Sequence, residues 1–177
     1  MYVRQLRNLL SLYLLFGVFQ IQMNKAEQYA ATAAHIKALI EGESDLIAAM
    51  STIVCELHNS LGHFDWTGFY RVVSPGMLKV GPYQGGHGCL AIPFDRGVCG
   101  KCAREGEAQL IPDVRVIPFH IACASSTLSE IVIPVFDSRG EVRSVLDVDS
   151  NSLAAFDEID SRNLEAICRW LTPLYRC

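Results

Sequence analysis

The chain has 177 residues, enough for one domain that buries roughly two-thirds of the surface its unfolded form exposes, so neither staples nor a second core is required. Lys and Arg number 15 against 19 Asp and Glu, a formal net charge of -4, and no basic stripe interleaves with aromatics, which argues against a nucleic-acid partner. The 7 cysteines are too few for a disulfide scaffold and odd in number, so they read as mostly reduced thiols of a cytoplasmic protein.

The opening segment carries Arg4 and Arg7, then an apolar run from Leu9 to Ile21, with no acid before Glu27. A basic stretch ahead of such a run resembles a secretory signal, although the small residues Ala31 to Ala33 lie far downstream for cleavage. The run is too short to cross a bilayer as a helix. Export would also expose the thiols to uncontrolled oxidation, so the preferred reading is an N-terminal extension over 1-22 and a folded domain over 23-177.

Two helices open that domain. Residues 26 to 40 are rich in Ala, Ile and Leu. After Gly42, Ser44 is the expected N-cap of a helix whose stripe is Leu46, Ile47, Met50, Ile53, Val54, Leu57 and Leu61, with Gly62 expected in a left-handed closing turn. From Asp65 the period changes to two: Trp66, Gly68, Tyr70 and Val72 share one face of a strand. The SPG turn at 74 to 76 then leads into MLKVGPY, completing a hairpin. CLAIPF (89 to 94) is a third strand, GVCGKCAREG (97 to 106) a short helix, AQLI (108 to 111) a fourth strand. SEIVIPVF and EVRSVLDVD form another pair across a DSRG turn. A last helix begins near Asp157, a capping residue, with the stripe Ile159, Ala166, Ile167, Trp170, Leu171 and Leu174. Hairpin-linked strands bracketed by helices predict an α+β fold with a mainly antiparallel sheet.

Three cysteines fall in the loop-rich middle: Cys89 after GGHG, Cys99 in GVCGKC and Cys123 in HIAC. An isolated Cys is usually a small packing hydrophobe, and three alternatives compete with that reading here. A zinc site would draw on His87, Cys89, Cys99, Cys102, His120 and Cys123, but only Cys99 with Cys102 has knuckle spacing, so no metal is expected. A thioredoxin-like CGKC pair would need a βαβ setting that the chain lacks. Thiol redox catalysis needs a thiolate, which His120, three residues before Cys123, is placed to favour. Acids supply the other half: Glu130 opens one strand, and Asp147 and Asp149, two apart, share a face of another. Such carboxylates are costly to bury unless they hold a proton or a ligand, and can give a proton to a leaving oxygen or bind an ammonium group. Trp66 and Tyr70 are placed to floor an apolar pocket.

In this order, the segments MNKAEQYA, FDWTGFY, VGPYQG, CLAIPFDRGVCG, HIACASSTLSEIVIPV and VLDVDS resemble the free methionine-(R)-sulfoxide reductases, single GAF-type domains, from Met23 to near Leu171. The resemblance implies that the catalytic cysteines are Cys89, Cys99 and Cys123, that Glu130, Asp147 and Asp149 form the acidic substrate site, and that Trp66 and Tyr70 form the substrate cage. Cys55, Cys102, Cys168 and Cys177 fall outside that set, and Arg143 and Ser144 depart from the pattern. The implied chemistry is attack by one thiolate, with Cys123 first choice and Cys99 the alternative or a relay, on free methionine-R-sulfoxide. Glu130 or Asp149 protonates the oxygen, and Cys89 resolves the resulting sulfenic acid as a disulfide. No cofactor is implied beyond an external dithiol such as thioredoxin, and homodimers are common among proteins of this kind. The competing class is a non-catalytic GAF module that senses a small molecule.

Overall fold

In the computed structural model, residues 23–118, 121 and 125–175 are described, so the expectations placed on residues 1–22, His120, Cys123 and Cys177 lie outside the described residues. Helix α1 (Lys25–Leu39) starts on a reciprocal cap: the Asn24 side chain accepts from the Glu27 amide at 3.0 Å, and Glu27 accepts from the Asn24 amide at 2.9 Å. Helix α2 (Leu46–Ser60) is capped by Asp45 rather than Ser44, because the Asp45 carboxylate takes the Ala48 amide while Glu43 Oε1 takes the Ser44 and Asp45 amides. Two further details of that helix differ from expectation. Its end runs through Leu61 in extended conformation, with Gly62 outside the left-handed region, and Ile47 points to solvent at 41% exposure.

Six strands follow: β1 (Trp66–Ser74), β2 (Met77–Gln84), β3 (Ala91–Pro93), β4 (Gln109–Ile111), β5 (Ser129–Phe136) and β6 (Val142–Ser150). They form one sheet in the order β3-β2-β1-β6-β5-β4, every neighbour antiparallel. Between β3 and β4 lies the short helix α3 (Gly97–Glu105), closed by Gly106 at φ 67. Helix α4 (Glu158–Cys168) starts at Asp157 as predicted, but the chain tightens into a 3-10 turn (Arg169–Leu174) where Pro173 cannot extend an α-helix.

Strand pleating gives each face of the sheet its own core. Phe69, Ile131, Ile133, Val135, Leu146 and Val148 pack against α1, α2 and α4, with Tyr29, Ile36, Met50, Ile53, Leu57, Leu164 and Ile167 among the partners. The opposite face carries Trp66, Tyr70, Val132 and Val145 and is covered by Val98, Cys99, Cys102 and Ala103 of α3.

The helical layer is tied by a buried charge that the sequence reading missed. Asp160 is fully buried and accepts from Lys25 Nζ at 2.6 Å, Tyr29 Oη at 2.8 Å, His63 Nε2 at 3.1 Å and the Asp157 amide at 2.8 Å. Burial alone would push its carboxyl up, but these donors hold it down at about 2. One carboxylate thereby fixes the start of α1, the approach to β1 and the cap of α4. Among the described residues, no helix is long and apolar enough to cross a membrane.

Candidate active site

The face beneath α3 gathers the residues that carry chemistry. On β1 the alternation places Trp66, Gly68 and Tyr70 together, and the register sets Trp66 opposite Asp149 and Gly68 opposite Asp147. On the other side of β6, Asp149 pairs with Glu130 and Asp147 with Val132. Three carboxylates therefore stand beside an aromatic wall on adjacent strands, as the two-residue spacing of Asp147 and Asp149 predicts.

The wall is built around Trp66. Its ring stacks on Tyr70 at 5.8 Å and on Tyr83 at 5.5 Å between centroids, and its Nε1 donates to the Gly86 carbonyl at 3.1 Å. Two glycines make room for it. A Cβ on Gly68 would come within 2.5 Å of Trp66 Cη2 and of Tyr83 Cβ, and one on Gly88 within 2.8 Å of Trp66 Cζ2 and 3.0 Å of Tyr70 Oη. Neither position tolerates a side chain while the indole lies flat. Gly68 falls on the predicted face with a role the alternation alone does not give, and Tyr83 is an unpredicted member of the wall; a Gly between two aromatics on one strand face is the signal in the sequence.

Two of the acids are dry: Glu130 and Asp147 are buried, and Asp149 is half-buried. Burial, then the charges of Asp147 and Asp149, push Glu130 well above the ordinary carboxyl range. Burial raises Asp147 to about 7 against the pull of hydrogen bonds with Cys99 and Glu130. Asp149 is raised by burial and by Asp147, and lowered by the Thr127 hydroxyl, another contact not foreseen. Asp147 Oδ1 is buried without a hydrogen-bond partner. Carboxyls in this state act as proton stores near neutral pH and as acceptors for a cationic group.

Cysteine placement divides the three candidates. Cys99 Sγ lies 3.9 Å from Glu130 Oε1 as a weak donor, and burial followed by Asp147 and Glu130 pushes its thiol well up. It is a protonated thiol in this setting, which disfavours it as the attacking sulfur. Cys89 sits at the rim in the loop over the wall, where its backbone amide bonds the Tyr70 hydroxyl, and it is disulfide-bonded. Cys55, Cys99, Cys102 and Cys168 are free. Cys102 packs inside the core with its Sγ 3.7 Å from the Val132 carbonyl, a structural role. The structure thus brings together Trp66, Tyr70, Cys89, Cys99, Glu130, Asp147 and Asp149, while Cys123 and His120 lie outside the described residues.

Comparison with known proteins places this arrangement. Residues 43–170 match the GAF domain family. The free methionine-R-sulfoxide reductase of Escherichia coli K12 is 36% identical over 145 residues, spanning 82% of this chain and 87% of its own. A crystal structure of the free methionine-R-sulfoxide reductase of Neisseria meningitidis, in complex with its substrate, is 36% identical with a TM-score of 0.82, covering 86% of this chain and 91% of that one. A protein of Burkholderia vietnamiensis described as a putative GAF sensor is 39% identical with a TM-score of 0.80, covering 85% and 94%.

Proposed function

The chain belongs to the GAF-domain family, with free methionine-R-sulfoxide reductases among its relatives, and from that premise we propose that it reduces free methionine-R-sulfoxide to methionine by thiol chemistry. The observation that carries this reading is the pairing of a stacked indole with two buried carboxyls and a half-buried third beside a disulfide-bonded cysteine. A sensor needs an apolar wall, but it has no use for proton-holding acids next to redox-active thiols.

The reaction follows from those parts. Trp66 and Tyr70 receive the methyl on the polarised sulfur, and the acids receive the α-ammonium. The Cys123 thiolate attacks the sulfoxide sulfur while Glu130 or Asp149 gives its proton to the oxygen. The hydroxyl passes to the cysteine sulfur, releasing methionine and leaving a sulfenic acid. The Cys89 thiol displaces that hydroxyl as water and forms a disulfide, and an external dithiol of the thioredoxin class takes the disulfide and restores both thiols. Cys99 serves as a relay or hydrogen-bond partner of the acids. Overall one sulfoxide and two thiols give methionine, water and one disulfide, with no prosthetic group required. The free thiols of Cys55, Cys99, Cys102 and Cys168 fit a cytoplasmic setting, and residues 23–177 are taken as the catalytic unit, with a homodimer as its working assembly.

The test incubates purified protein and dithiothreitol with the R epimer, the S epimer and a peptide-bound sulfoxide. Methionine should form from the free R epimer alone. Binding of that epimer without turnover would replace this reading with the sensor. In single turnover, Cys123→Ser should abolish methionine release and Cys89→Ser should spare it; the opposite pattern exchanges their roles.

A further inference from the structure

We propose that in the fully reduced, substrate-free protein Cys99, Glu130 and Asp147 bind one zinc-class divalent cation, and that the bound ion holds the site inactive. The three side chains come from α3, β5 and β6, and one donor atom of each lies within 4.8 Å of the other two. Unlike the short His and Cys pairs of the sequence, these ligands are far apart in the chain and include two carboxylates.

Distances suit the ion. A tetrahedral zinc with sulfur at about 2.3 Å and oxygen at about 2.1 Å sets an S···O edge of about 3.6 Å. Cys99 Sγ and Glu130 Oε1 already stand 3.9 Å apart, so closure needs a few tenths of an ångström. Asp147 takes hydrogen bonds from Cys99 and Glu130, yet its Oδ1 is buried without a partner, so the carboxylate keeps room to accept an ion. The frame is stiff, since β5 and β6 are paired from Ser129 to Phe136. A Cβ at Gly100 would meet the Pro93 carbonyl at 2.4 Å, which shows how closely α3 is seated. A thiolate with two carboxylates selects zinc, cobalt or cadmium over magnesium and calcium. Three protein donors leave a fourth position for water, as in open zinc sites. The ion would occupy the acids that the proposed reduction uses to hold a proton and an ammonium group. The inactivation therefore rests on the reductase reading, whereas the binding does not.

Cobalt reports the ligands directly. Full-length protein reduced with a phosphine and titrated with Co²⁺ should take one equivalent, develop a thiolate-to-cobalt charge-transfer band in the near ultraviolet, and lose it on adding Zn²⁺. Cys99→Ser should remove the band and Cys55→Ser should keep it, while Asp147→Asn should weaken cobalt affinity tenfold or more with the band retained. A band that survives Cys99→Ser, or an affinity unchanged in Asp147→Asn, overturns the assignment. If Cys99→Ser fails to fold by circular dichroism, Asp147→Asn decides alone. Methionine formation is assayed on the metal-free protein and again with one equivalent of Co²⁺ bound: turnover should be lost with the ion, and turnover unchanged at full occupancy overturns the inactivation. No methionine from the metal-free protein removes the reductase reading and keeps the cation site; methionine formation with no stoichiometric cobalt does the reverse.

Discussion

Replacing Asp147 by Asn should make the reduced protein more stable at pH 8 and far less active. Burial holds the Asp147 carboxyl at about 7, against an ordinary 3.8. A carboxyl raised in the folded state keeps its proton there after the unfolded chain has lost it. Folding is therefore unaffected below about pH 4, loses stability as pH climbs to about 7, and carries the full cost above that. At 1.36 kcal/mol per pH unit, the cost by pH 8 is roughly 4 kcal/mol. Asn escapes it but keeps an amide to bury, which takes back about 1–2 kcal/mol. The net gain is therefore about 2 kcal/mol, or roughly 4–8 °C in melting temperature for a domain of this size. Urea and thermal melts in dithiothreitol at pH 4, 6 and 8 measure it, alongside methionine formation, which should fall by about two orders of magnitude because the acid set that receives the α-ammonium loses a carboxyl. A variant no more stable than the parent at pH 8, or a difference that does not change with pH, would refute a proton-holding Asp147.

Gly68→Ala should displace the indole, since the added methyl meets Trp66 and Tyr83 at 2.5 Å; KM for the sulfoxide should rise about tenfold and stability fall by about 1–3 kcal/mol, read from initial rates and urea melts. Asp160→Ala strands Tyr29 Oη, while Lys25 Nζ keeps Asp157 and the Ala155 carbonyl, and should cost about 2 kcal/mol in a urea melt at pH 7. In the parent, stability from Asp160, whose carboxyl is held at about 2, is complete above about pH 4 and is lost as pH falls through 2; an acid titration followed by circular dichroism checks the window. Cys102→Ala should keep full activity and cost about 1 kcal/mol, because its thiol packs in the core, and loss of turnover at unchanged stability would give it a chemical role.

Much of this is legible in the sequence. Alternation in WTGFY and in LDVDS fixes which side chains share a face whatever the strands do next, so the aromatic wall and the acid pair could be read directly. The DSRG turn makes the antiparallel pairing readable, but not the placing of Glu130 opposite Asp149, because a register shift between Val135 and Phe136 moves every later pair by one residue. Asp160 escaped notice for a related reason. In sequence it is one more acid in the first turn of a helix, and only tertiary packing delivers Lys25, Tyr29 and His63 to it. Cap details failed locally: Asp45, one residue nearer α2 than Ser44, takes the Ala48 amide and so becomes the cap. Family resemblance marked the reactive cysteines, but the burial that separates Cys99 from Cys89 is a property of α3 lying over the sheet.

Each central strand carries two independent instruction sets, interleaved residue by residue. On β1 and β5 the even positions face the chemistry and the odd positions face the helices, and on β6 the parity is exchanged. A directed-evolution library confined to positions 66, 68, 70, 130, 132, 145, 147 and 149 would rewrite ligand preference while leaving the helix-side layer untouched. The complementary library would adjust thermal tolerance, with the acids moved only as far as the backbone moves. Selectivity and robustness can thus be bred separately in one scaffold and recombined by position number alone.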